Sequence, residues 1–495
     1  MLLLLQLLRE SGVRRSNRRE RRGIHFTGAW GHGDRSPPLQ FEVKDPYASI
    51  QKLTYNRNDI QIKSIDALNQ VTTYAYDKDN RLIRTTDPKG NSTGQEHDNV
   101  GNVIRKTDGK GNATTYAYNE LRQLLSVTNA LGYRTSYTYD LCGNMLTQTD
   151  ANGNTTTYEY NAINLVSRRT DSGGRSGVPG NYQYDIKKTE VFQYNPNGTL
   201  QLKIDRNGKH TSYTYDIHGR KKTVTTDDTY AEYTYDQVGN LTVVNDGTGT
   251  TTRVYNEVGS VTLKSVSGIG TTGYTYGILS GIPAGHVAER SNDPKGNIVL
   301  KEYDKAGRLL KVTADGRTTT YEYNLDGSRK KVIHPDNSTS EYEYDTAGLL
   351  NVMRNKRSNG TVMDSYTYSY DAARNQTAKV EVINGVTKGR TDYLYNSLNM
   401  LQRITEPGGR VTNYTYDKAG NRITETDSAA SSTTTYTYNE QNRLLRTEKT
   451  LPGGVVESMQ YSNCRRKHIL LQIQRALRCN GSDGHCRNGD GDILR

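Results

Sequence analysis

"TSYTYDLCGNMLTQTDANGNTTTYEYN", Thr135 to Asn161, states one short phrase and then begins it again. The phrase is T-x-Y-x-Y followed by Asp or Asn, a Gly/Asn stretch, an apolar residue and Thr-Asp. Its second Tyr falls at Tyr55, Tyr76, Tyr118, Tyr139 and Tyr160, with His97 in the place between Tyr76 and Tyr118, a step of 21 residues. After a longer gap the register resumes at Tyr194, Tyr215, Tyr235, Tyr255 and Tyr276. It runs on through Tyr303, Tyr323, Tyr344, Tyr370, Tyr395, Tyr416 and Tyr438. Recurrence at this spacing marks a repeat architecture.

Alternation in "TSYTYD" puts Tyr137 and Tyr139 on one face of a strand and Thr/Ser on the other. Tyr and Thr both favour extended backbone. Asp140 to Asn144 is a turn, because Asp accepts from amides ahead of it and Gly143 can take positive φ. "MLTQTD" returns as a second strand, and Ala151 to Asn154 makes a second turn. Each unit is therefore a hairpin in a β-meander. Some eighteen units give roughly 36 strands, a flat ribbon of more than ~150 Å at ~4.8 Å per strand. Open twisted sheets rarely pass about ten strands without curling. The expected fold is all-β, a repetitive hairpin array coiled into a solenoid or hollow shell.

Composition agrees with a thin, wet-edged core. The 495 residues are 33% hydrophobic, with a mean hydropathy of −0.84, values that alone would lean towards disorder. The 37 tyrosines, against three phenylalanines and one tryptophan, reverse that reading. Each offers a large apolar ring with a polar tip. All lie between Tyr47 and Tyr461, which divides the chain into a basic leader (1–46), the array (47–461) and a non-repeat tail (462–495). The net charge of +12 comes mostly from the ends: eight Arg against three acids in residues 1–35, seven Lys/Arg against three in 464–495. The array mixes both signs, so nucleic-acid binding is not expected of it.

The consensus Y-x-Y-D-x-x-G-N-x-L with Thr-Asp downstream resembles the YD repeat of the rearrangement-hot-spot (Rhs) family. "YTYDLCGNMLTQTD", "YTYDQVGNLTVVND" and "YTYDKAGNRITETD" are the clearest copies, and the likeness covers about residues 47–461. That family includes polymorphic toxins, wall-associated proteins, cocoon subunits of insecticidal toxin complexes, and teneurins. The resemblance implies a hollow β-shell, secreted or at the cell surface or wall, whose cargo is its own or a neighbouring C-terminal toxin domain. Toxin members close the shell with a D-P-x-G-rich segment bearing an autoproteolytic Asp. Here Asp87–Gly90 and Asp293–Gly296 read "DPKG" inside the array, as turns, so that role is not transferred to Asp87 or Asp293. At "MQYSNC" Asn463 and Cys464 stand where Tyr and Asp belong, and a frame change or truncated copy accounts for the tail.

No catalytic, cofactor-binding or metal-ligating residues are expected. "MLLLLQLLRE" has no preceding charge and no A-x-A site, and is too short to span a bilayer. Cys142 occupies a variable turn position. Cys464, Cys479 and Cys486, with His468 and His485, match no zinc-finger spacing. "GIGTTG" (Gly268–Gly273) fits G-x-G-x-x-G but is followed by a strand, not by the helix a pyrophosphate needs. The recurring Asp140, Asp216, Asp236 and Asp417 read as turn caps rather than catalytic carboxylates. "NGDGD" (Asn488–Asp492) lacks a calcium-loop pattern.

Two functions follow. One is a structural shell or scaffold of a secreted or surface Rhs-type toxin, lacking its effector domain and not itself an enzyme. The other is a carbohydrate-binding surface or adhesion module whose tyrosine faces stack on sugars. The thirty-two residues 464–495 cannot hold a core for an active site.

Overall fold

The computed structural model describes residues 24–25, 39–44, 50–172, 175–178, 181–184, 188–461 and 474–476. These form one 40-stranded antiparallel sheet and a separate two-stranded hairpin. No α-helix occurs among them; the one short helical element is a 3-10 turn at Pro452–Gly454. The expectation of an all-β hairpin array holds. Most of the leader and tail lies outside the described residues. The sheet nevertheless takes in Leu39–Lys44, ahead of the boundary read at 47, and Gln474–Ala476, past the one at 461.

Strand pairs with strand in chain order. Arg134–Tyr139 is held by Leu124–Thr128 on one side, through Ser136 and Ser126, and by Met145–Thr149 on the other, through Tyr137 and Gln148. A bulge between Thr138 and Tyr139 moves the second Tyr opposite Met145. The same shift precedes Tyr76, His97, Tyr160 and Tyr416.

A single turn design recurs on both sides of the ribbon. Around Asp150, the Asp150 amide donates to the Asn154 carbonyl and the Gly153 amide to the Asp150 carbonyl. Asp150 Oδ1 accepts from the amides of Asn152 and Asn154, both at 2.9 Å. Gly153 has φ 91°. This is a three-residue loop closed by a left-handed residue, and the strands beside it, Met145–Thr149 and Thr155–Tyr160, pair without a shift. Where Gly is missing at that place Asn usually stands there, as at Asn80, Asn164, Asn399 and Asn442, again with positive φ; Asn tolerates the conformation better than other side chains.

Tyrosines tie each hairpin to the one before. Tyr139 Oη donates to the Leu124 carbonyl at 2.9 Å, Tyr160 to Met145 at 2.8 Å and Tyr215 to Leu200 at 2.8 Å. The paired Tyr137 and Tyr139 are both half-buried, whereas Thr138 between them is exposed. Thr138 Oγ1 bonds Thr147 Oγ1 across the opposite face at 2.6 Å. Only Ala288, Val332 and Ala378 are buried hydrophobics among the described residues. The sheet is therefore a single layer. Among the described residues no second layer covers either face, and cohesion comes from strand neighbours.

The breaks in the tyrosine register at 172–188 and 277–297 read from sequence as insertions that loop out between hairpins, and across the first the ladder closes directly. Val166–Asp171 pairs directly with Thr189–Tyr194, and Arg175–Val178 pairs with Asn181–Tyr184 as the separate hairpin. The expectation for 277–297 needs correction. Val287–Asn292 is a full strand between Gly270–Gly277 and Ile298–Tyr303, and only 278–286 leaves the ladder. Its alternation (Val-Ala-Glu-Arg-Ser-Asn) lacks the tyrosines that flagged other strands.

Removing the Tyr139 hydroxyl (Tyr139→Phe) should cost about 1 kcal/mol, the worth of one intramolecular hydrogen bond. Tyr137→Phe should cost much less. Local hydrogen exchange of residues 124–139 in the two variants decides this; equal losses of protection would dismiss the latch.

Candidate functional site

Because consecutive strands are antiparallel, alternate turns lie on opposite edges of the ribbon. Turns after the Tyr strand (Asp98, Asn119, Asp140) form a tyrosine edge. Turns after the second strand (Asp87, Asp108, Asp150) form a threonine edge.

These edges meet where the ribbon coils onto itself. Lys89 Nζ donates to Asp345 Oδ2 at 2.8 Å and Asn152 Nδ2 to Asp417 Oδ2 at 2.9 Å. Asn399 Nδ2 donates to Asp108 Oδ2 at 3.0 Å and Asn442 Nδ2 to Asp150 Oδ2 at 3.3 Å. The partners are 256 to 292 residues apart. Lys110 with Asp371 and Lys188 with Glu440 add ion pairs at 3.4 and 2.7 Å. The threonine edge of one coil thus docks on the tyrosine edge of the next. The turns interdigitate: the Asp108 turn reaches both Asp371 and Asn399, and the Asp150 turn both Asp417 and Asn442. At Gly109 a Cβ would come within 1.8 Å of the Ala372 carbonyl oxygen, so only glycine fits there. Roughly two dozen strands per coil, at ~4.8 Å each, make a ring ~35 Å across.

Every one of these contacts ends on a carboxylate, and the division of labour is the same at each Asp. Asp108 Oδ1 takes the amides of Lys110 and Asn112, while Oδ2 takes Asn112 Nδ2 and the seam donor Asn399. Burial works to raise the Asp108 pKa, but the bonds from the Asn112 and Asn399 side chains and the turn amides outweigh it and hold it low. At Asp345 burial is likewise outweighed, by Lys89 and the amides of Leu349 and Ala347.

A second cluster sits where the inserted hairpin leaves the sheet. Arg206, at a turn tip, folds back to donate from Nη2 to Asp171 Oδ1 at 2.7 Å. Gln441, from the next coil, donates to Asp171 Oδ2. Glu190 receives Lys203 at 2.9 Å and Arg169 at 3.6 Å. Asp171 and Arg206 are 2% and 5% exposed. Burial first, then the charges of Arg169 and Arg443, pushes the Arg206 pKa down to about 10.

A Ser/His pair also occurs. His334 lines an open depression with Arg317, Pro335, Asp336 and Ser338, and its Nε2 lies 3.1 Å from Ser340 Oγ. Ser340 Oγ donates its single hydrogen to Asn355 Oδ1 at 2.7 Å, and Asn355 Nδ2 donates to Asp364. His334 therefore donates to the hydroxyl, the reverse of a general base. The relay is a structural one.

The residues singled out from sequence fall as follows. Asp87 and Asp293 cap turns through Lys89/Asn91 and Lys295/Asn297 amides. Asp140, Asp216, Asp236 and Asp417 do the same, and Asp417 also joins the seam. Cys142 is an exposed free thiol. Gly270–Gly277 is a strand, so "GIGTTG" opens no helix. Cys464, Cys479, Cys486, His468, His485 and Asn488–Asp492 lie outside the described residues. Sequence reasoning missed the seam and the Asp171–Arg206 pair. The available signal was the change at the turn tips from Leu141 and Ile217 to Ala347 and Ala372, since Asn in place of Gly stands at Asn80 and Asn164, off the seam, as well as at Asn399 and Asn442.

A model of the RHS Repeat family matches residues 55–92, 97–129, 122–155, 143–176, 194–231, 303–339 and 395–431. Among curated proteins the chain is 31% identical over 155 residues to "tRNA3(Ser)-specific nuclease WapA" of Bacillus spizizenii, covering 29% of this chain and 6% of that protein. It is 27% identical over 171 residues to "Double-stranded DNA deaminase toxin A" of Burkholderia cenocepacia, covering 34% of this chain and 10% of the toxin. The chain thus spans a small part of either relative. Among solved structures, TcdB2-TccC3 without its hypervariable C-terminal region matches 86% of this chain and 26% of its own, with a TM-score of 0.51 and 15% identity. At that identity the likeness is one of fold.

Two predictions follow from the charges. Asp108 and Asp345, held low in the seam, give a stabilisation complete above the ordinary carboxylate pKa of ~4 and lost as pH falls through their lower, folded values. Acid should therefore widen the particle in X-ray scattering before far-UV dichroism loses its β signal. Gly109→Ala should widen it at neutral pH. A single transition with no early expansion would dismiss the seam's separate lability. Asp171→Ala, which leaves Arg206 buried without its carboxylate, should cost about 3–5 kcal/mol. Asp140→Ala, at an exposed turn, should cost far less by the same denaturation measurement.

Proposed function

We propose, from the premise that this chain belongs to the RHS-repeat family, that it serves as a stretch of curved wall around a polypeptide cargo, and that the cargo is a toxin domain. The observation that carries this is the coiled single layer. A ribbon that returns to its own edge after roughly two dozen strands, with neither face covered by a second layer, encloses space instead of filling it. A ring ~35 Å across leaves room for an extended chain or a small unfolded segment once side chains are subtracted. The names of the relatives, a tRNA nuclease and a DNA deaminase toxin, supply the class of cargo. Secretion or surface display of such a shell goes with that reading.

The wall itself has no chemistry on this proposal. Its carboxylates are occupied by turn amides and seam donors, and its Ser/His pair is wired in the wrong direction. The carbohydrate reading has less in its favour. Tyr139, Tyr160 and Tyr215 give their hydroxyls to backbone carbonyls, which removes the donors that a sugar would use.

A flexible reporter polypeptide fused after Arg495, with a photo-cross-linking residue at 137 or at 138, tests enclosure. Positions 137 and 138 face opposite sides of the sheet. Cross-links to the reporter should arise from one of them only, whichever lines the interior. Equal labelling from both, or none from either, would sink the proposal.

A further inference from the structure

The tyrosine edge has two stretches with different side chains. Where it is docked in the seam, several turn tips are small (Ala347, Ala372 and Ala419), Ala347 and Ala372 are half-buried, and so is the aliphatic tip Leu398. Along the first coil, whose tyrosine edge no described coil covers, the same tips are large aliphatics. Val100, Leu121, Leu141, Ile217, Val238 and Val258 stand there, Leu141 at 103% and Ile217 at 97% exposure. Aliphatic tips at most turns of one edge, interrupted at Pro196–Asn197 and at Lys305–Ala306, are not scattered surface apolars; they make a rail.

The opposite end of the molecule presents the matching surface. On the threonine edge from Thr226 to Leu451, no second coil is placed among the described residues. Each of these two stretches runs for nearly one circumference. Within the chain, a threonine edge already docks on a tyrosine edge, with the turns of one fitting between the turns of the other. A partner with the same two-strand period stays in register along the whole rail; a partner without that period meets only one or two tips.

We propose that the free tyrosine edge, Asp98 to Leu325, docks the free threonine edge of a second copy of this chain, stacking copies head to tail along the coil axis. The contact continues the internal seam, with aliphatic tips entering the notches between the partner's turns. On the order of 100 Å² per turn over about ten turns reaches the ~800 Å² per partner of a stable interface. The two surfaces differ, so the contact is heterologous and does not close after two copies.

Sedimentation velocity of the full chain over a concentration series tests this. The chain should form dimers and longer stacks. A tyrosine-edge variant (Leu121→Lys, Leu141→Lys, Ile217→Lys) should be monomeric alone, as should a threonine-edge variant (Ile269→Lys, Ala429→Lys). Lysine already occupies such tips at Lys78 and Lys418, so the turns tolerate it. Mixed together, the two variants should form a dimer and nothing longer, since each keeps one intact edge. Leu394→Lys, an exposed aliphatic on the sheet face, should change nothing. A wild-type chain that is monomeric throughout overturns the proposal. So does association that survives both edge variants, that Leu394→Lys abolishes, or that the mixture fails to restore. Binding only to a different repeat protein, with no self-association, also overturns it.

Discussion

The structure depends on what one aspartate does with its two carboxylate oxygens. Oδ1 accepts the amides two and four residues ahead and fixes the turn. Oδ2 takes the side chain at the fourth position and, in the seam, a donor from the neighbouring coil. Hairpin length and coil-to-coil contact therefore have a common origin. Asn at the left-handed position extends the scheme. Asn375 Nδ2 donates to Asn399 Oδ1 at 2.8 Å, and Asn399 Nδ2 passes on to Asp108. One side chain links its own turn to the next repeat and to the next coil.

A single layer places unusual weight on such local bonds. Ordinary domains bury one face of a sheet against another layer, and here none of the described residues forms one. Half-buried tyrosines, hydroxyl latches and cations over rings take that place; Arg422, for example, lies 4.6 Å from the Tyr414 ring and 5.8 Å from that of Tyr436. Each term is small, and stability grows by nearest-neighbour addition along the ribbon. The buried Asp171–Arg206 pair is the exception, and it lies where a hairpin has been expelled and the ladder must close across the gap.

Much of this was legible in the sequence because its determinants are local. Tyr137 and Tyr139 on one face, the turn at Asp140 and the expulsion of 172–188 all follow from neighbours within one repeat. The strand at Val287–Asn292 was missed because it carries no tyrosine, and its partners alone define it. The seam was not legible for a different reason. Asp108 looks identical to Asp140 in sequence, since each must first cap its own turn. Which of them also meets another coil depends on the circumference, a sum of small twists over some 260 residues. No local pattern encodes that sum, and only the shift of tip residues from Leu141 and Ile217 to Ala347 and Ala372 betrays it.

The same geometry explains why coil meets coil through side chains. The long edges of this ribbon are rows of turns, not strands, and whole strands with an unpaired edge lie at its two ends. Edge-to-edge backbone pairing, the usual route by which sheets join and aggregate, is therefore closed along nearly the whole length. Coils can approach only through turn side chains, whose bonds are individually weak, carboxylate-dependent and separable without breaking a single strand pair. A wall built this way keeps its sheet intact while its seam opens, because the two are held by different oxygens of the same residue.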